Sequence, residues 1–309
     1  MTKARVTFWQ RTGAMRAAID DYELQDLPLL AKNASRNASV RVIRNGLAVQ
    51  CFNILEDFIK ARTSEALTEI SISGVQFSWL PDALREAATL GAVKAIGVQA
   101  KRRLKPDQIV YTQTYSAQIA STQTGALQLP DIGFFHIASN IGADNLRDAL
   151  IAFGVHKPWE QLSGLLSRMS ISALPAENVF SSLAERRHSA AHNPNTSISE
   201  SDLVQSIVDA IGIGVGFDLL LTSASRSLRQ LTAPTLGGKY LLGSHSTVAL
   251  RFIRAHGPEF REIKEGGKRG VARSADWKLL LPDAEKRAHA RDEALIVQGT
   301  TLPAIYWCY

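Results

Sequence analysis

The sequence predicts a mainly α fold, an antiparallel helical bundle, with a small C-terminal α+β appendage. Three observations carry it. Long stretches between Ser35 and Leu231 repeat apolar residues at three- and four-residue steps. A linker-like composition, "TAPTLGG", follows at 232–238, and beyond it short β-rich runs alternate with glycine turns. With 309 residues and 45% hydrophobic content the chain is long enough to bury a sizeable core. The expected domains are therefore 1–232, helical, and 239–309, α+β.

The elements follow in order. The N-terminal stretch to Leu30 has no apolar core of signal-peptide length and carries Asp20, Asp21, Glu23 and Asp26, so no export is expected. From Ser35 to Thr68, Val40, Ile43, Leu47, Cys51, Leu55 and Phe58 fall on one helical face with no proline. A second helix starts with Pro81 near its first turn and ends in Lys101, Arg102 and Arg103, cations that complement a helix C-terminus. "DQIVYTQTYSAQIASTQ" fits either a short strand or a polar helix. "GADNLRDALIAFG" and "KPWEQLSGLLSRM" read as short helices separated by "VHKP", and another helix begins near Pro175.

Ser199 and Asp202 stand at capping-box positions for a helix that continues to about Leu231. Its segment Leu203 to Leu221 is apolar enough to span a bilayer but contains Asp209 and Asp218, which predicts a buried helix instead of a membrane span. After the linker, "STVALRFIRAHGPEFREIKEGGKRG" predicts strands around a glycine-rich turn. "DWKLLLPDAEKRAHA" predicts a short helix, and "EALIVQGTTLPAIYWCY" a closing hairpin.

Several functional classes fall away. Cys51 and Cys308 are too few for a disulfide framework and have no metal-ligand spacing, which predicts a reducing, cytoplasmic setting and excludes a zinc ribbon. Gly212, Gly214 and Gly216 lack the strand a dinucleotide fingerprint needs, so close helix packing is the expected reason for them. "TLGGKY" lacks the spacing and hydroxyl of a phosphate loop, and there is no nucleophile elbow. His136, His156, His245, His256 and His289 share no spacing and are expected to be structural or exposed. No cofactor is implied. A net charge of +6 suits an anionic partner such as nucleic acid.

One stretch survives this sorting. "SSLAERRHSAAHNPN", Ser181 to Asn195, crowds Arg186, Arg187, His188 and His192 into two turns and then stops at Asn193 and Pro194. Cations at a helix C-terminus explain part of the charge. Two histidines in addition supply groups that gain and lose protons near neutral pH. Spaced i, i+4, they would also suit a metal pair, although no Glu stands in the H-E-x-x-H place and no third ligand is evident.

"ERRHSAAHN" resembles the R-x4-6-H motif of the HEPN superfamily, with Arg187, polar His188, three small residues and His192 in order. "LAVQCFNILEDFIKA" is similar to the long first helix of the larger HEPN nucleases, with Leu55, Glu56, Asp57 and Phe58 as a Leu-Glu-x-Phe element. The resemblance covers roughly residues 35 to 230. The stretch from Ser71 to Pro175 exceeds a minimal HEPN domain, and the part after Gly238 has no counterpart there.

The resemblance implies a metal-independent endoribonuclease, a toxin or antiviral effector, in which the RNA 2′-hydroxyl attacks the adjacent phosphorus. His192 suits proton transfer. Arg187 suits the charge growing on phosphate. His188 would orient the phosphate or assist His192, and Arg186 and Asn193 are candidate substrate contacts. Residues 187 and 192 lie about 140° apart on a straight helix, so a distorted last turn or a two-fold homodimer is expected to complete the site. An antitoxin or other regulatory partner is implied as well. The alternative is a HEPN-type domain that binds RNA or protein without cutting.

Overall fold

The structure, a computed structural model, describes residues 2–21, 23–135, 140–193, 195–233, 243–267 and 269–309. Pro194, His136, the expected linker beyond Ala233 and the Gly-Lys pair of "TLGGKY" lie outside the described residues.

Eleven α-helices precede or interleave with five strands among the described residues. They are α1 (Lys3–Asp21), α2 (Ala34–Ser71), α3 (Asp82–Glu86), α4 (Ala92–Ala100), α5 (Lys105–Ser121), α6 (Ile132–Phe135), α7 (Ala143–Ala152), α8 (Pro158–Arg168), α9 (Ala176–His192), α10 (Glu200–Arg229) and α11 (Trp277–His289). The strands are β1 (Ala249–His256), β2 (Glu259–Lys264), β3 (Ala272–Ser274), β4 (Glu293–Gln298) and β5 (Tyr306–Cys308). The mainly helical class with a C-terminal mixed sheet is as the sequence predicts. Its ambiguous segment after Asp107 is the helix α5. Helix α1 was not foreseen: its buried residues include Arg5 and Thr12 beside Phe8, Met15 and Ile19, so its inner face is not plainly apolar.

The chain divides into two compact units. One comprises Met1–Phe58, Ser163–Gly216 and Ala249–Tyr309, and the other Ile59–Leu162 and Phe217–Val248. In the first unit the sheet has the order β3-β2-β1-β4-β5, with β1 and β4 parallel and the other pairs antiparallel. The β1–β2 hairpin turns at Gly257, whose φ of +60° is a conformation that glycine adopts without a steric penalty. Alternation sends Ile253, Leu295 and Val297 against Leu280, Ala284 and Ala288 of α11. On the opposite face Phe252, Ile296 and Trp307 form a row. Trp307 meets Phe8 of α1 and Phe58 of α2 edge-on, at 6.0 Å each, while Phe8 and Phe58 stack at 4.4 Å.

Close packing accounts for two of the α10 glycines. A Cβ on Gly214 would lie 2.9 Å from Phe8 Cζ, and one on Gly212 would lie 2.9 Å from Ile171 Cγ2. The cap of α10 forms as its sequence predicts: the Ser199 hydroxyl accepts from the Asp202 N–H at 3.0 Å and donates to the Asp202 carboxylate at 2.6 Å. By length and composition α10 passes for a membrane span, yet 89% of its most apolar stretch is buried within the protein. Its two carboxylates, Asp209 and Asp218, are both engaged by arginines.

In the second unit, Asp218 receives the Arg62 Nε–H at 2.7 Å, and Thr222 and Glu69 accept the remaining guanidinium bonds at 3.2 and 3.3 Å. Between α3 and α4 the chain winds as a π-helix over Ala87–Gly91. Gly133 of α6 lies against this segment so closely that a Cβ there would sit 1.9 Å from the Ala87 carbonyl oxygen. The cluster Lys101, Arg102 and Arg103 lies just past α4, and Arg103 covers the Tyr111 ring at 3.6 Å.

Candidate active site

The motif helix α9 starts after Pro175, whose fixed φ suits a helix entry and whose missing N–H costs nothing there. Ala176, Val179, Phe180 and Leu183 are buried at i, i+3, i+4 and i+7, which fixes the inner face. Phe180 contacts Phe52 of α2 at 5.7 Å between ring centroids. Farther along, the chain after α9 meets α2 nearer its start: Asn45 donates to the Thr196 carbonyl at 2.8 Å and accepts from the Ile198 N–H at 3.3 Å. The two helices thus run antiparallel, which brings the end of α9 toward the beginning of α2.

Arg186 continues the inner stripe one turn past Leu183. There it meets α10, donating to Asp209 Oδ2 at 3.3 Å and to Ser206 Oγ at 3.4 Å. Gln205 supplies a second bond to Asp209 at 2.8 Å. Burial raises the Asp209 carboxyl above its ordinary value, and the bonds from Gln205 and Arg186 oppose that rise. The Cys51 thiol is pushed up to about 12, chiefly by burial and further by Asp209, with Arg186 acting in the other direction. At neutral pH it stays a thiol and is no nucleophile.

The next residues turn outward. Arg187 is half-buried, whereas His188 and His192 are exposed, with ring centroids 4.8 Å apart. No hydrogen bond or ion pair joins either imidazole to another described residue. The last turn is regular α-helix, closed by the Asn193 N–H on the Ser189 carbonyl at 2.9 Å. No distortion therefore draws Arg187 and His192 onto one face, and five residues of helix keep them about 140° apart. Exposed Asn193 accepts from the Asn195 N–H at 3.0 Å through Oδ1, a turn that leads the chain away from α9.

The loop beyond is pinned by Arg44, a buried guanidinium on α2. It donates to Ser197 Oγ at 3.0 Å, to Asp26 Oδ2 at 3.0 Å and to the Leu24 carbonyl at 2.9 Å. Sequence reasoning did not single out Arg44 or Asn45, and it took Asp209 as a mark of a buried helix, not as a partner of the motif. The signal for Asp209 was present: a carboxylate in an apolar run needs a cationic or hydrogen-bonding partner. Of the scattered histidines, His156, His256 and His289 are exposed and His245 bonds Gln161 at 2.7 Å. Among the described residues no group of three His, Cys, Asp or Glu side chains is placed to hold a metal.

The model of the HEPN_MAE_28990-like HEPN family matches residues 21–211, which include α2, α9 and the Arg-His stretch. The chain is a HEPN protein. Its match stops within α10, so the sheet of this HEPN chain lies outside the matched region. No curated protein and no solved structure matches the chain.

Proposed function

We propose that this HEPN protein is a metal-independent endoribonuclease. The observation that carries the reading is the contrast along one helix end. Arg186 is neutralised by Asp209, while His188 and His192, one turn apart, stand in solvent with no described partner. That exposure leaves both imidazoles accessible to a substrate phosphate, while Arg186 fixes the helix that carries them.

In this reading His192 takes or returns the proton of the attacking 2′-hydroxyl and the departing 5′-oxygen. Arg187 bonds the phosphate oxygens as charge builds on phosphorus. His188, beside His192, steadies the phosphate or shares the proton. Arg186 holds α9 against α10 through its pair with Asp209, and Asn193 lines the approach. Such an activity in the cytoplasm needs restraint, which supports the role of a toxin or antiviral effector governed by an antitoxin or other regulatory partner.

The test is incubation of the full chain with mixed RNA and DNA, with and without EDTA. RNA alone should be cut, equally in both conditions, leaving 2′,3′-cyclic phosphate and 5′-hydroxyl ends. Activity lost in EDTA and restored by zinc or manganese would replace this mechanism with a metal site on His188 and His192. A folded protein that binds RNA but leaves it whole would support the non-catalytic reading, which the divergence of Arg187 and His192 on one helix favours for an isolated chain.

That divergence also leads to an expectation about assembly. A two-fold homodimer facing two α9 ends across one cleft would supply both groups to one phosphate. Mixing Arg187→Ala with His192→Ala protein under subunit exchange should restore part of the cleavage that each lacks alone. Sedimentation of a monomer at concentrations where it cuts RNA would refute the shared cleft.

A further inference from the structure

A cavity of about 480 Å³ opens beside the loop that follows the motif. It is bounded by the segment around Asp26 to Leu30, by the first turns of α2 and by Ser197. This volume lies within the range of small-ligand pockets, about 300–1,000 Å³. The cavity is preformed although residues 23–30, which lead into a short 3-10 helix at Ala31–Asn33 before α2, have no regular secondary structure. Asn37 bonds both the N–H and the carbonyl of Leu27, at 2.9 Å each, Arg36 donates to the carbonyls of Glu23 and Gln25, and Arg44 ties down Leu24 and Asp26.

Its lining is two-sided. Leu29 and Leu30 present apolar surface that is 97% and 54% exposed, with Ala34 and Ala38 beside them on α2. The polar side holds Arg41, which has no hydrogen-bond or ion-pair partner among the described residues. It also holds Asp26, whose Oδ2 serves Arg44 and whose Oδ1 has no described partner. Ser197 is five residues past His192, a span of at most about 18 Å. A short single strand could lie across both.

Resting on the ribonuclease reading, we infer that this cavity is a specificity subsite for one guanine base of single-stranded RNA, held at a fixed offset from the phosphate at His192. Aliphatic walls suit the apolar faces of a base turned out of its stack. The Arg41 fork matches the O6 and N7 acceptors of guanine, and the open Asp26 oxygen accepts from its amino group. Adenine puts an amino group where Arg41 needs an acceptor, and pyrimidines lack N7.

The experiment uses full-length His192→Ala protein, which should bind RNA without cutting it, and uridine oligonucleotides carrying one guanine, one adenine or one abasic site. The guanine RNA should bind about tenfold tighter than the abasic one, the effect of one or two hydrogen bonds to charged groups. 6-Thioguanine at that position should crosslink to the 26–41 segment. Ala38→Trp, which fills the cavity from an exposed position of α2, and Arg41→Gln should each erase the guanine preference and the crosslink. Wild-type protein that cuts RNA while His192→Ala shows no guanine preference, or crosslinks elsewhere, would overturn the subsite and leave the ribonuclease reading standing. A folded chain that neither cuts nor binds RNA would overturn both.

Discussion

Replacing His192 by alanine is expected to lower RNA cleavage by roughly 10²–10⁴-fold, the usual contribution of a positioned proton-transfer group. Arg187→Ala should cost about 10²–10³-fold, because a charge-stabilising donor acts only as the phosphorane forms. His188→Ala should be milder. His188 and His192 are exposed and make no hydrogen bonds to described residues, so their loss should leave the melting temperature within a degree or two. Measuring kcat and thermal unfolding on the same preparations separates chemistry from folding. Undiminished cleavage in well-folded His192→Ala protein would remove that residue from the mechanism.

The largest stability effect is expected from Arg62→Met. Its guanidinium is 1% exposed and faces Asp218, which is fully buried. Removing the cation leaves a fully buried carboxylate without its guanidinium, a change that typically costs roughly 3–5 kcal/mol. The double variant Arg62→Met, Asp218→Leu should recover most of that loss, since apolar pairs of similar volume often replace buried ion pairs without penalty. Denaturant midpoints of the wild type, both single variants and the double variant give the coupling directly. A loss below about 1 kcal/mol in Arg62→Met would mean that Asp218 is accommodated without its guanidinium partner.

Local signals in the chain were legible. Pro175, the Ser199 and Asp202 pair and the helical spacing after Val40 locate their elements closely, because capping and periodicity act within a turn or two of helix. The packing role of Gly212 and Gly214 was legible too, although which side chains approach them was not. Helix α5 stayed ambiguous because threonine, tyrosine and glutamine serve strands and polar helices alike. At the site, the order Arg186, Arg187, His188 and His192 could be read, but not which groups turn inward. That depends on Asp209, 23 residues away on another helix, and on Arg44 and Asn45, about 150 residues from the loop they hold.

The meeting of Trp307 with Phe8 has a consequence for the order of assembly. Almost 300 residues separate these rings in the chain, and Arg5 reaches the Tyr309 carbonyl at 3.4 Å across a still longer separation. Contacts so distant are made late, since loop closure must be paid before they return any stabilisation. At about 5–20 residues per second, a ribosome leaves Phe8 without its indole partner for roughly 15–60 s. Helix α9 belongs to the same compact unit. A nascent or truncated chain can therefore hold the whole Arg-His stretch before β5 has closed the aromatic cluster of the same unit.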